Sequence, residues 1–174
     1  PAPAPIGGEY TAPTDAATVR LAVTDSMIEV VESTPAPGWQ QVEDDRRPRE
    51  VDLAFVRDGT TVSVDAEIDD GRFETDVDVD APATPGRSTY RVGDAGSLTI
   101  EVVGDRVGLV GQETGPGWVT TVDERELAEG EVAVRFRNDG ESRTVDVDAD
   151  IDDGRLSVEI DSRTGRDYAA PPVR

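Results

Sequence analysis

Residues 60–80 read TTVSVDAEIDDGRFETDVDVD. On either side of Asp70-Gly71, every second position carries an inward-facing type: Val62, Val64, Ala66 and Ile68 before the pair, Phe73, Thr75, Val77 and Val79 after it. A period of two marks a strand with one buried face. Asp-Gly is a preferred pair for a two-residue type I′ reversal, whose central residues both need φ > 0. The predicted hairpin sets Ile68 opposite Phe73, Ala66 opposite Thr75 and Val64 opposite Val77. A slip of one residue would mix the two faces, so turn chemistry and side-chain pattern support one register.

Moving outward, Asp58-Gly59 repeats the device and sets Phe55 opposite Val62, Leu53 opposite Val64 and Val51 opposite Ala66. Around Asp153-Gly154 the same reading pairs Ile151 with Leu156, Ala149 with Val158 and Val147 with Ile160. The recurrence belongs to a larger self-similarity. AEIDDGRF at 66–73 returns as ADIDDGRL at 149–156, EVDLAFVRDG at 50–59 as EVAVRFRNDG at 131–140, and DAATVRLAV at 15–23 as DAGSLTIEV at 94–102. PAPGWQQV at 35–42 returns as GPGWVTTV at 115–122, which puts Trp39 and Trp118 79 residues apart. Tyr10, Tyr90 and Tyr168 mark the joints, 80 and then 78 residues apart.

The predicted fold class is all-β: two tandem repeats of about 80 residues, each a small antiparallel sandwich-like module of about six strands. The repeats span 10–88 and 89–168. A Pro-rich arm (1–9) and a C-terminal tail (169–174) flank them and read as extended tethers. Val and Thr are abundant, which favours strands, and no proline falls inside a predicted strand. Only TVDERELAEG at 121–130 offers a helical turn.

The same registers set carboxylates side by side on the outer face. Glu67 opposes Glu74, Asp65 opposes Asp76, Asp148 opposes Glu159 and Asp146 opposes Asp161. Asp52 extends one line to Asp52–Asp65–Asp76. Like charges directly opposite cost roughly 0.2–1 kcal/mol per pair. Arg135 beside Asp146 is an internal remedy that the first repeat lacks, having Ala54 there. Concentrated salt would screen the repulsion, and a hard cation such as Ca2+ would accept oxygens from Asp52, Asp65 and Asp76. A solvated acidic face is the reading taken here. No cofactor is expected, with Ca2+ on those three aspartates as the alternative. DADIDDGRLSVE at 148–159 is not an EF-hand, because Gly154 sits one place too late and the flanks are strands.

Composition excludes much else. The chain has 174 residues, 38 acidic against 17 basic, for a net charge of -21; every cation is Arg, and Lys, His and Cys are absent. Cys or His nucleophiles, zinc centres, disulfides and a P-loop lysine are thereby ruled out. Phosphate backbones are repelled, so nucleic acid is not an expected partner. Apolar runs are too short for a membrane span. DDRRPRE at 44–50 is charge-balanced and reads as a solvated loop. Trp39 and Trp118 read as core plugs in preference to sugar platforms. Carboxylate pairs cleave glycosides only within a cleft, which flat ladders do not imply. No base sits near a Ser or Thr to activate it. Pro1 is not a translation start, and a secretory signal upstream is the expected missing piece.

Tyr90 to Gly96, Pro116 to Trp118, Phe136 and Asp152 to Gly154 together resemble small secreted tandem-repeat β-proteins of high-GC Gram-positive bacteria. The resemblance implies an extracellular or cell-surface location and no particular activity. The expected function is a non-enzymatic structural module that self-associates head to tail, as in a filament. DYAAP near the end imitates EYTAP near the start, as though a further unit followed, and an open sheet edge accepts such a strand. The arm (Pro1 to Pro13) or the tail (Arg166 to Arg174) is the expected donor. A monomeric surface module for a divalent cation, a glycan or an envelope partner is the alternative.

Overall fold

The computed structural model describes residues 8–24 and 26–165. Most of the Pro-rich arm, and the tail from Arg166 onward, lie outside the described residues. The first half contributes β1 (Gly8–Thr11), β2 (Ala17–Val23), β3 (Ile28–Pro35), β4 (Gln40–Arg47), β5 (Glu50–Arg57), β6 (Thr60–Asp69) and β7 (Arg72–Pro82). The second contributes β8 (Gly86–Arg91), β9 (Gly96–Val103), β10 (Arg106–Thr114), β11 (Val119–Val122), α1 (Glu124–Glu129), β12 (Val132–Asn138), β13 (Arg143–Asp152) and β14 (Arg155–Gly165). Among the described residues the protein is all-β apart from α1 and two short 3-10 turns.

Each hairpin register read from the Asp-Gly pairs is the one observed. The cause is visible in the backbone: Asp58, Gly59, Asp70, Gly71, Asp153 and Gly154 all have φ between 47° and 79°. Asp tolerates this region and Gly enters it freely, so these pairs form I′ turns that match the strand twist. At Gly154 a Cβ would meet nothing within 4 Å, so substitution there reports the backbone penalty alone. Gly154→Ala is expected to lower stability by about 1 kcal/mol, read as a lower urea midpoint with an unchanged m-value.

β4, β5, β6 and β7 form a meander, and β11, β12, β13 and β14 form another. The two join edge to edge through β7 and β14 into one eight-stranded sheet, ordered β11-β12-β13-β14-β7-β6-β5-β4. The seam is long and antiparallel, from Arg72 opposite Gly165 to Pro82 opposite Arg155, with Val77 facing Ile160 near its centre. Two three-stranded sheets, β1-β2-β3 and β8-β9-β10, cover its apolar side. β3 touches β5 and β6, and β10 touches β12 and β13. One continuous core results, with Leu21, Leu53, Phe55, Leu98, Ile100, Phe136 and Ile160 almost fully enclosed.

The two halves, expected as sandwich-like modules of about six strands each, share a sheet and a core among the described residues, and each has a further strand that the alternation did not reveal. β1 (GEYT) and β8 (GRSTYR) have no apolar alternation and are mostly exposed; backbone pairing with β2 and β9 holds them. DDRRPRE is likewise not a loop but the end of one strand and the start of the next, with Arg46 bound to Asp44 and Arg47 bound to Asp45 and Glu50. Helix α1 is the expected single turn. Asp123 caps it by accepting from the N–H groups of Arg125 and Glu126, and Gly130 at φ 89° closes it.

Candidate functional site

The outer face of the large sheet carries the acidic line anticipated at Asp52, Asp65 and Asp76, and extends it. Asp45 pairs with Asp52, Asp52 with Asp65, Asp65 with Asp76, Asp76 with Asp161 and Asp161 with Asp146. Arg135 ends the series opposite Asp146. Six aspartates therefore stand in register across six strands. The sequence reading missed the continuation because it did not foresee that β14 would join β7. A second line sets Asp78 beside Glu159 and Glu159 beside Asp148.

The ends of the long row are neutralised. Arg135 grips Asp146 with two hydrogen bonds of 2.6 and 3.1 Å, as expected, and Arg163 adds a third at 3.3 Å. Arg47 donates to Asp45 at 2.8 Å and lies 3.9 Å from Asp52. Among the described residues no cation comes within ion-pair distance of Asp65, Asp76 or Asp161 at the centre. Burial, followed by the neighbouring Asp52, raises the Asp65 carboxyl to about 6. Burial together with Asp161 raises Asp76 to about 8, and the same two causes raise Glu159 to about 7. Asp78 and Asp148 are also pushed upward, by burial and then by adjacent acids. The enclosed Oδ1 of Asp76 has no hydrogen-bond donor, and burial beside other acids favours the neutral, protonated form of Asp76 over an uncompensated charge.

Carboxylate oxygens of Asp65, Asp76 and Asp78 lie within 4.8 Å of one another, as do those of Asp76, Glu159 and Asp161. Asp52, the remaining member of the candidate set, is in neither group. Three convergent acids fall short of the six to eight oxygens of a calcium cage, and an outward-facing sheet row is flat.

A second feature lies on the opposite side of the large sheet. Beside β1, a cleft of about 480 Å³ opens between Gly8–Thr11 on one wall and Val92, Gly93 and Asp94 on the other. Phe73, Val145 and Ile160 form its floor. The Tyr10 ring meets Phe73 edge-on, with centroids 5.6 Å apart. Its hydroxyl is sealed from solvent and stops short of hydrogen-bonding geometry with Thr75, whose own Oγ1 is also without a partner. Burial pushes the Tyr10 phenol up to about 12. At the far wall Arg143 donates to Asp94 at 2.8 Å and to Glu141 at 3.1 Å. The same guanidinium lies 5.0 Å from the Trp118 ring centre.

Trp118 is 6% exposed, and Trp39 packs half-buried against the core with Arg57 4.7 Å from its ring centre. Each Trp is thus core on one side and Arg-capped on the other, which leaves no free face for a sugar. No helix among the described residues is long and apolar enough to cross a membrane. No family model, curated protein or solved structure matches the chain, so its function has to be argued from geometry.

Proposed function

We propose that this chain is a duplicated, non-enzymatic structural module of the cell surface or extracellular space, and that it self-associates by lending a terminal strand. Strand order supports the duplication, since β4 to β7 and β11 to β14 follow the same sequence outward-to-inward. The seam supports it further. Asp153-Gly154 lies 83 residues after Asp70-Gly71, and Ile160 lies the same distance after Val77, the residue it faces. Each seam strand thus meets its own counterpart, as at a two-fold axis.

The observation that carries self-association is the unfinished edge at β1. Among the described residues it pairs on one side only, with β2, and it faces a cleft of mixed polar and apolar lining on the other. GRDYAAP at 165–171 matches GGEYTAP at 7–13 at Gly, the acid, Tyr, Ala and Pro, so the tail has the composition of a strand this fold already accepts. Because residues 8–13 belong to the fold itself, the tail is the cleaner segment to remove. Intact protein is expected to form pairs or head-to-tail filaments in sedimentation velocity and electron microscopy. Removal of 166–174 is expected to leave monomers, and an intact chain that stays monomeric at all concentrations would end this reading.

The acidic face favours the alternative of a monomeric cation-binding surface module only if it takes up an ion stoichiometrically. Calorimetry with CaCl2 separates the two. A saturable heat that Asp76→Asn abolishes would support a cation site, whereas a smooth rise in melting temperature with NaCl is the response of a screened, solvated face.

A further inference from the structure

Resting on that reading, we infer that the cleft between β1 and Val92–Asp94 is the acceptor for the tail, Arg166–Arg174, of a neighbouring copy, which adds as a strand along the free edge of β1. Ladder phase identifies the groups that receive it. The Ala12 N–H donates to the Val19 carbonyl at 3.0 Å, and the β1–β2 register runs on from that pair through Tyr10 opposite Leu21 to Gly8 opposite Val23. Hydrogen-bonded pairs alternate along an antiparallel ladder, so Tyr10 and Gly8 share the phase of Ala12. Glu9 and Thr11 therefore turn their N–H and C=O groups away from β2, and both residues line the cleft. An added strand would pair with these two rungs by main-chain bonds that any sequence can make, while side-chain fit sets the choice of strand.

The tail suits the space. β1 offers four residues, and Asp167, Tyr168, Ala169 and Ala170 are four, followed by Pro171-Pro172, which have no N–H and stop the ladder. Side chains alternate, so Tyr168 and Ala170 face the floor together, toward Phe73, Val145 and Ile160. Gly93 leaves the far wall open, since a Cβ there would meet nothing within 4 Å. Glu9 and Asp94 flank the entrance, and Arg166 and Arg174 approach a chain whose net charge is -21.

β14 ends beside the cleft, where Ser162 and Thr164 line it, with Gly165 opposite Arg72 as its last rung. The tail of a second copy, rather than the chain's own, is the occupant proposed.

The experiment titrates a fluorescein-labelled peptide of sequence GRDYAAPPVR into the full chain and follows anisotropy. Saturable one-to-one binding is expected, displaced by unlabelled peptide and not by a scrambled version. Thr11→Pro removes an outward N–H without touching the β1–β2 ladder and is expected to weaken binding at least about tenfold, with the melting temperature unchanged. No saturable binding, equal binding of the scrambled peptide, or an unchanged affinity in Thr11→Pro overturns the proposal. Peptide binding to a protein that never self-associates would remove the assembly reading and leave the cleft assignment standing. Self-association without peptide binding would do the reverse.

Discussion

Taking the protein from pH 8 to pH 5 in dilute buffer is expected to raise its melting temperature by about 3–8 °C, against the usual tendency of acid to destabilise. In an unfolded chain carboxyls titrate near 4. In the fold Asp65 keeps its proton to about 6, Glu159 to about 7 and Asp76 to about 8. Between pH 4 and pH 8 the native state therefore binds more protons than the unfolded one, and stability falls as pH rises through that window. These side chains still touch solvent, so screening reduces the combined effect to roughly 1–3 kcal/mol. The opposite contribution comes from Asp45 and Asp94, held low by Arg47 and Arg143; they lose their pairs only in stronger acid.

Two controls isolate the cause. In 1 M NaCl, where the Debye length is about 3 Å, the slope with pH is expected to flatten, because the repulsive part is screened and the desolvation part is not. Asp76→Asn is expected to stabilise the protein at pH 8, since the amide keeps the shape of the carboxyl and adds no charge to the row. It should also remove most of the change between pH 6 and pH 8. A melting temperature that climbs from pH 5 to pH 8, or an Asn variant less stable than the parent at pH 8, would refute this account of the acidic row.

Much of this geometry is legible in the residues, and the boundary of legibility is physical. Hairpin registers follow from Asp-Gly pairs between alternating strands, because turn and pattern are local and agree. The Asp52–Asp65–Asp76 line follows from those registers by counting. Its continuation through Asp161 and Asp146 does not, because the β7–β14 seam joins strands some 80 residues apart and no turn specifies it. β1 and β8 are invisible to a hydrophobic pattern for the same kind of reason. GEYT and GRSTYR hold their places by main-chain hydrogen bonds, which every sequence offers equally. The cleft beside β1 depends on both of these non-local facts. Tyr10 was legible as a joint, but not as a ring set on Phe73 with an unsatisfied hydroxyl.

The seam makes the largest prediction. Residues 8–83 alone are expected not to persist as a folded monomer but to pair with a second copy. Without β14, β7 becomes an uncovered edge of eleven residues with the buried side chains of Phe73, Thr75 and Val77 beside it, the kind of edge that recruits another strand. The native seam indicates which strand fits. Because Val77 faces Ile160 and Ile160 is its counterpart, two copies of β7 can meet in the same register about a two-fold axis through Val77. Asp76 would then face Asp78 of the other copy, without the Arg135 and Arg163 that relieve Asp146 in the intact sheet, so pairing should strengthen as salt is added. Sedimentation equilibrium in 1 M NaCl is expected to give a dimer with the circular dichroism of antiparallel sheet. Val77→Asp would put an unpaired charge at the centre of that contact; it is expected to abolish the half-chain dimer and to cost the full chain about 3–5 kcal/mol. A half-chain that melts cooperatively as a monomer would mean that each half completes its own core, and that the seam joins two finished domains where the register implies two halves of one.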